Sequence, residues 1–233
     1  MILNLYLRKL FTPILVITFA LIGVYTFGYA EYFDRWFLVA LMLWGLIKIK
    51  NRDVNMAGLI LIIILVRSLD EIAYLIIDFD VKLIIYLLAV AVLYKLKYDK
   101  LVLLFCAPLL TLIVLVEFFW FFTGYPAPKI YFYVCMLLLS LVTRHLLFMR
   151  VPLTDRLLKG GKSLPLDWKF YGLSKWSVFI LAAMLAEYLI RHLTVLNPLH
   201  VYQVYPVFMH AIAVTSLFYL TEDYLRSRFI LTA

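Results

Sequence analysis

The sequence predicts an all-α, polytopic transmembrane helical bundle of about eight spans, with six spans as the alternative, built as one domain over residues 1–233. Hydrophobic residues make up 66% of the chain and charged residues 15%, whereas soluble domains have roughly 45–50% and about 25%. The mean hydropathy is +1.00. The apolar residues are also grouped into long runs that short, mostly basic connections separate. Because a helix needs about 20 mostly apolar residues to cross the hydrocarbon core, we expect no soluble domain of useful size.

Each apolar run is expected to form one helix. The runs lie at about 11–30, 36–49, 56–77, 81–94, 101–123, 130–148, 174–195 and 204–221. The second and fourth are short for a full crossing and could instead be tilted, re-entrant or interfacial, which is the origin of the six-span alternative. We interpret the first run as a retained span, because it is longer than a usual signal-peptide core and further spans follow it.

The basic residues predict the orientation. With the N-terminus inside and eight spans, seventeen Lys and Arg residues fall in inside segments, and only Arg35, Lys82 and Lys129 fall in outside loops. This asymmetry is what the positive-inside rule predicts. We therefore expect a multi-pass protein of the inner (plasma) membrane of a prokaryote, with both termini in the cytoplasm. The net charge of +8 then reflects topology and contacts with anionic lipids, and not nucleic-acid binding.

One connection is long, and we predict that it lies on the inner leaflet. Residues 149–175 mix basic residues with Leu, Trp, Phe and Tyr, a composition typical of interfacial segments. Gly160-Gly-Lys-Ser163 within it resembles part of a phosphate-binding loop, but Arg156 stands where that motif needs its first glycine. We expect a flexible, basic turn there.

Ionisable residues inside the apolar runs are the candidate site. Such a group costs a few kcal/mol or more unless it is paired or faces water. A helix rises about 1.5 Å per residue, so the number of residues from the point where a span enters the membrane gives the depth of each ionisable side chain. This places one group of ionisable residues in the outer half of the membrane. Its members are Arg67, Asp70, Glu71, Glu117, Glu187, Arg191, His192 and His210.

Spacing predicts how this set is arranged. Glu187 and Arg191 are four residues apart and can pair on one helix face, and Arg67 can reach Asp70 or Glu71 in the same way. The remaining charges need partners or water. We therefore expect a polar cavity between the third, fifth, seventh and eighth spans that opens to the outside.

The function that this pattern favours is a channel, carrier or sensor subunit. Its acids would bind cations or protons, and the two arginines would tune their pKa values, because burial raises and a nearby Arg lowers the pKa of a carboxylate. We expect no cofactor, and no metal site, because no two histidines share the i, i+4 spacing of a helical ligand pair. Expected partners are membrane lipids and either further copies of the chain or other membrane subunits.

Two alternatives remain open. Glu187-Tyr-Leu-Ile-Arg191, with His210 on the next span, resembles the Glu-x-x-x-Arg portion of the first motif of the CAAX-processing type of intramembrane protease. Cys135 with Arg191 and His192 or His210 is similar in residue types and leaflet to the exosortase transpeptidases. These resemblances imply an enzyme acting on a lipid-linked or peptide substrate at the outer leaflet. The other alternative is a structural or regulatory subunit without catalysis.

Overall fold

The computed structural model describes residues 2–76, 81–126 and 129–227, and over these residues it is helical with no strand. The helices are α1 (Ile2–Thr26), α2 (Ala30–Lys50), α3 (Val54–Ile76), α4 (Lys82–Lys95), α5 (Ala107–Thr123), α6 (Ile130–Phe148), α7 (Arg150–Leu158), α8 (Pro165–Leu193) and α9 (His200–Leu225). A 3₁₀ turn, Phe27–Tyr29, joins α1 to α2, and a π-helical turn, Val102–Cys106, leads into α5. Every predicted apolar run therefore overlaps a helix.

Five helical segments of the described chain are long and apolar enough to cross a membrane: Leu10–Tyr29, Val102–Thr123, Ile130–Phe148, Pro165–Leu193 and His200–Leu225. Their outer faces carry exposed apolar side chains, such as Phe121 and Phe122 at 80% and 81% exposure. Helix α4 has 14 residues and is therefore about 21 Å long, less than the hydrocarbon thickness of about 30 Å. A helical membrane bundle is supported, and the number of eight spans stays a prediction.

Helices α6 and α8 form the centre of the bundle. Helix α6 packs against α3, α4 and α8, while α9 packs between α8 and α1, and α2 packs along α3. One apolar cluster includes the fully buried Ile113, Leu137 and Leu185. A second includes Leu41 and Ile60. These contacts decide which polar residues of different helices can meet.

The connection 149–175 is more helical than predicted. Helix α7 occupies its first third, and α8 begins at Pro165, nine residues before the predicted apolar run. Only Met149 and residues 159–164 of the connection are therefore outside helices. Pro165 takes the first helical position, which suits a residue without a backbone N–H. Asp167 Oδ2 accepts the N–H of Leu164 at 2.7 Å and caps this end. The polar residues around the start of α8 lower the local hydropathy, so hydropathy alone does not indicate a helix there. The interfacial position of this segment stays a prediction.

A buried arginine holds α7 and α8 against α3. Arg150 is 0% exposed; its Nε lies 2.5 Å from Asp167 Oδ1, and its Nη1 donates to the carbonyl of Asn55 at 3.2 Å. Helix α7 also approaches α3 closely: a Cβ added to Gly58 would overlap Thr154 Oγ1. We call this end of the bundle the Arg150 end, and the opposite end, where α5 finishes, the Tyr125 end.

The turn after α7 is organised around one carboxylate. Asp155 Oδ1 accepts the backbone N–H groups of Gly160 and Gly161 at 3.0 and 3.2 Å, and these hydrogen bonds hold the pKa of Asp155 below its usual range. Gly160 has a φ of +105°, which favours glycine. The glycine N–H groups are therefore engaged by the protein's own carboxylate, as expected for a turn that is not a phosphate loop.

Candidate functional site

A polar cavity lies inside the bundle between α3, α6, α8 and α9. Its volume is about 90 Å³, and Arg67 and Asp70 of α3 line it together with apolar side chains. Five hydroxyl groups complete its polar lining, those of Ser140, Thr143, Ser174, Ser177 and Ser216. We expected α5 among the walls; α6 takes that place, because α6 packs against both α3 and α8.

The cavity runs along the bundle. Asp70 is the seventeenth residue of α3, about 24 Å from its start at the Arg150 end. Leu147 and Phe170 line the other extreme of the cavity, close to the Arg150 end. The predicted opening towards the outside stays a prediction. A volume of about 90 Å³ has room for several waters, since one water needs about 10–15 Å³ of this kind of volume.

The hydroxyl groups give the cavity an acceptor character. The hydroxyl of Thr143 donates to Leu139 O at 2.7 Å, that of Ser174 to Tyr171 O at 2.8 Å, and that of Ser216 to Ile212 O at 2.8 Å. A hydroxyl has one hydrogen and two acceptor lone pairs. With the hydrogen bonded to the carbonyl of its own helix, each oxygen can still accept. The lining therefore suits a ligand that donates hydrogen bonds or carries positive charge.

Acidic groups outnumber the one arginine around Asp70. Asp70 lies within electrostatic range of Arg67, Glu71 and Asp34. Glu71 is exposed, whereas Asp34 has a buried Oδ1 without a hydrogen-bond partner among the described residues. Three acids and one arginine have a formal net charge of −2. Asp34 was not among the predicted site residues, because residues 31–35 were expected to connect the first two spans. Helix α2 begins at Ala30 and puts Asp34 on its second turn.

Glu187 lies elsewhere and binds the start of α9. It is 7% exposed, and its carboxylate oxygens accept the backbone N–H groups of Val201 at 2.9 Å and Tyr202 at 2.8 Å. These N–H groups belong to the first turn of α9, where backbone N–H groups have no acceptor within the helix. This turn is also the positive end of the helix dipole. Glu187 thus joins α8 to α9 at the Tyr125 end.

The expected pair of Glu187 with Arg191 is not formed: no ion pair joins them in the structure. The guanidinium carbon of Arg191 lies 5.1 Å from the centroid of the Tyr188 ring, a cation–π contact. The carboxylate turns to α9 because the N–H groups in the first turn of that helix have no acceptor within the helix itself. The short turn before His200 was the one sequence signal that could have indicated this contact.

Glu117 is a link between α5 and α4. Its Oε1 accepts the hydroxyl of Tyr86 at 3.2 Å, and its Oε2 forms an ion pair with Lys82 Nζ. Glu117 is buried and Lys82 is partly exposed. Lys82, which we expected in an outside loop, is the first residue of α4. Glu117 therefore has its partners on a neighbouring helix, away from the cavity.

The two histidines lie in separate places. His192 is near Tyr125, whose hydroxyl is 3.4 Å from Nδ1, and its ring centroid is 4.5 Å from that of Tyr188. His210 is buried, and its Nε2 lies 3.1 Å from the carbonyl oxygen of Gly23 and 3.1 Å from Thr26 Oγ1. Since a carbonyl can only accept, Nε2 of His210 carries a hydrogen. His210 thereby fastens α9 to α1.

Among the described residues, no hydrogen bond, ion pair or ring contact joins Cys135 to Arg191, His192 or His210. Cys135 is a free, half-buried thiol within electrostatic range of Asp70, whereas the contacts of His192 and His210 lead to α5 and α1. Over the described ranges, no group of three or more His, Cys, Asp or Glu side chains could hold a metal ion. Of the predicted set, Arg67 and Asp70 share the cavity. Compared with protein-family models, curated proteins and solved structures, the chain shows no match.

Proposed function

We propose that this protein is a membrane channel, carrier or sensor subunit that binds a proton or a small cation at Asp70. The observation that carries the proposal is a cavity in the bundle interior that Asp70, Arg67 and five hydroxyl-bearing side chains line. Glu71 and Asp34 add negative charge within electrostatic range of Asp70. The positive-inside distribution supports an inner-membrane location with the Arg150 end in the cytoplasm.

The charge balance at Asp70 favours a positively charged ligand. Arg67 can neutralise one carboxylate, and further carboxylates nearby repel one another when ionised. Asp34 contributes a buried acceptor oxygen that no described group satisfies, and such an atom costs about 1–3 kcal/mol. A proton or cation bound at Asp70 would remove the repulsion, and the oxygen atoms of the cavity hydroxyls could coordinate a cation.

The other predicted residues support this site without forming it. Glu187, Glu117 and His210 each join two helices through buried contacts. These contacts hold α9, which is one wall of the cavity, and they tie α5 to α4 and α1 to α9. The direct ligand-binding role that the sequence suggested for these residues, and for Glu71, Arg191 and His192, stays a prediction.

The test compares Asp70→Asn with Asp155→Asn in proteoliposomes. Both substitutions replace one carboxylate by an amide, but Asp155 lies in the exposed turn after α7. We expect Asp70→Asn to lower proton or Na⁺ flux at least tenfold, or, for a sensor, to abolish proton and ²²Na⁺ binding. Asp155→Asn should remain within about twofold of wild type. Equal losses in the two variants, or a wild-type protein that neither binds nor passes any cation, would contradict the proposal.

A structural or regulatory subunit is the second candidate. The use of Glu117 and Glu187 in helix packing favours it, because these charges are satisfied by the protein itself. This candidate predicts that the wild-type protein copurifies with a stoichiometric membrane partner. It also predicts that Asp70→Asn leaves cation binding unchanged and lowers only the yield of that complex.

A further inference from the structure

A basic pocket lies at the Arg150 end where α4, α6 and α8 meet, separate from the Asp70 cavity. Its volume is about 490 Å³. The charged side chains that line it are Lys95, Lys100, Arg144 and Asp99, and His145 lies beside them. With His145 neutral, three basic residues and one acid give the lining a formal net charge of +2.

Arg144 is fixed at the base of this pocket. It is 8% exposed. Its Nε donates to Asp99 Oδ2 at 2.8 Å, its Nη1 to the carbonyl of Tyr171 at 3.2 Å, and its Nη2 to the hydroxyl of Tyr171 at 2.7 Å. A guanidinium has five N–H donors, so these bonds leave two for a ligand. The bonds also hold the group in place, so that binding would cost little side-chain entropy.

The two lysines at the rim carry charge that the described residues do not neutralise. Lys95 and Lys100 are exposed, and neither forms an ion pair with an acid in the described part of the chain. Asp99, the one acid in the lining, is already engaged, because its Oδ2 accepts from Arg144 and its Oδ1 accepts the N–H of Leu101 at 3.0 Å. The pocket therefore presents one preorganised guanidinium and two free ammonium groups.

Aromatic and apolar side chains surround this charge. Tyr98, Phe148 and Tyr171 also line the pocket, and Tyr98 and Phe148 are exposed. Just beyond Lys100, the exposed Leu103 and Leu104 continue along the outer face of the chain towards α5. A basic pocket at a helix end, beside an apolar outer face, matches the chemistry of a phospholipid, with its phosphate above its acyl chains.

We propose that this pocket binds the phosphate of an anionic phospholipid headgroup. The phosphate oxygens would accept from Arg144 and from the ammonium groups of Lys95 and Lys100, and an acyl chain would lie along Leu103 and Leu104. The pocket also has the charge to hold a water-soluble phosphate ester. The lipid is favoured because the exposed apolar residues next to the pocket would stay uncovered by a soluble ligand. This proposal is independent of the role of Asp70.

The experiment measures lipid binding to the purified full chain in detergent by native mass spectrometry. Phosphatidylglycerol and phosphatidylcholine with the same acyl chains are titrated in parallel, and glycerol 3-phosphate serves as the soluble phosphate ester. The variant Lys95→Ala/Lys100→Ala is compared with Lys50→Ala/Arg156→Ala. The second variant removes the same charge from exposed residues outside the pocket. Thermal unfolding without added lipid establishes that both variants are folded.

We expect the wild type to prefer phosphatidylglycerol over phosphatidylcholine. Removing the two lysines should weaken this preference about thirtyfold, from roughly 1 kcal/mol per basic residue near an anionic lipid. The Lys50/Arg156 variant should keep the preference. Equal weakening in the two variants would show general surface attraction and overturn the proposal, as would the absence of a preference in the wild type. If glycerol 3-phosphate binds and phosphatidylglycerol is not preferred over phosphatidylcholine, the pocket binds a soluble phosphate ester and the lipid proposal is overturned.

Discussion

Replacing Glu187 by Gln tests whether this residue is a buried cap of α9. The wild-type carboxylate offers a separate oxygen to each of two N–H groups, at 2.9 and 2.8 Å, whereas an amide has one acceptor oxygen. The lost bond to a charged acceptor is worth about 1.5–3 kcal/mol. Loss of the negative charge at the helix N-terminus adds about 1 kcal/mol in a buried setting. We therefore expect Glu187→Gln to lower the free energy of unfolding by about 3 kcal/mol.

The assay is unfolding of the purified protein by sodium dodecyl sulfate in mixed micelles, followed by circular dichroism. Glu71→Gln is the matched control, because Glu71 is exposed and surface substitutions usually change stability by less than about 0.5 kcal/mol. If both variants unfold at the same detergent fraction, the assignment of Glu187 as a cap is refuted. If Glu187→Gln is as stable as wild type but loses cation flux, Glu187 belongs to the binding site, as the sequence suggested.

Three further predictions concern the Arg150 end. Arg150→Ala should destabilise the protein by about 3–5 kcal/mol in the same unfolding assay, because it removes the buried member of an ion pair and leaves the largely buried carboxylate of Asp167 without its partner. A change below about 1 kcal/mol would contradict this. Gly58→Ala should cost about 1–3 kcal/mol through overpacking against Thr154, and adding Thr154→Ala should recover part of that loss in a double-mutant cycle. The N–H groups of Gly160 and Gly161 lower the pKa of Asp155. The ionised carboxylate should therefore stabilise the turn fully above pH 3.8, the ordinary pKa of an Asp side chain. This stabilisation should be lost as the pH falls through the lowered pKa. The amide proton shifts of Gly160 measured by NMR should therefore titrate below pH 3.8 and should stop titrating in Asp155→Asn.

The helical ends show where hydropathy stops being informative. The interiors of the apolar runs were recovered, but α2 begins six residues earlier and α8 nine residues earlier than predicted. In both cases the missed turns carry charged side chains, among them Asp34 and Asp167. Their charges are accommodated by the ends of the bundle and by specific partners, such as Arg150 for Asp167. A hydropathy window averages over such partners and cannot detect them.

The amino-acid sequence by itself determined the class of the protein, because a chain this apolar can bury its backbone polar groups in a membrane only as helices or as a closed barrel, and its long apolar runs have helical length. The sequence also indicated the position of each ionisable residue along its helix, since the expected depth in the membrane follows from the number of residues. Only the tertiary structure decided which of these charges meet. Lateral packing put α6, and not α5, beside Asp70, brought the first turn of α9 to Glu187, and lined the cavity with Ser and Thr. Hydroxyl groups carry no charge, so Ser and Thr do not stand out as site residues in a sequence. Their position beside Arg67 and Asp70 depends on helix–helix contacts, which residue counting cannot predict.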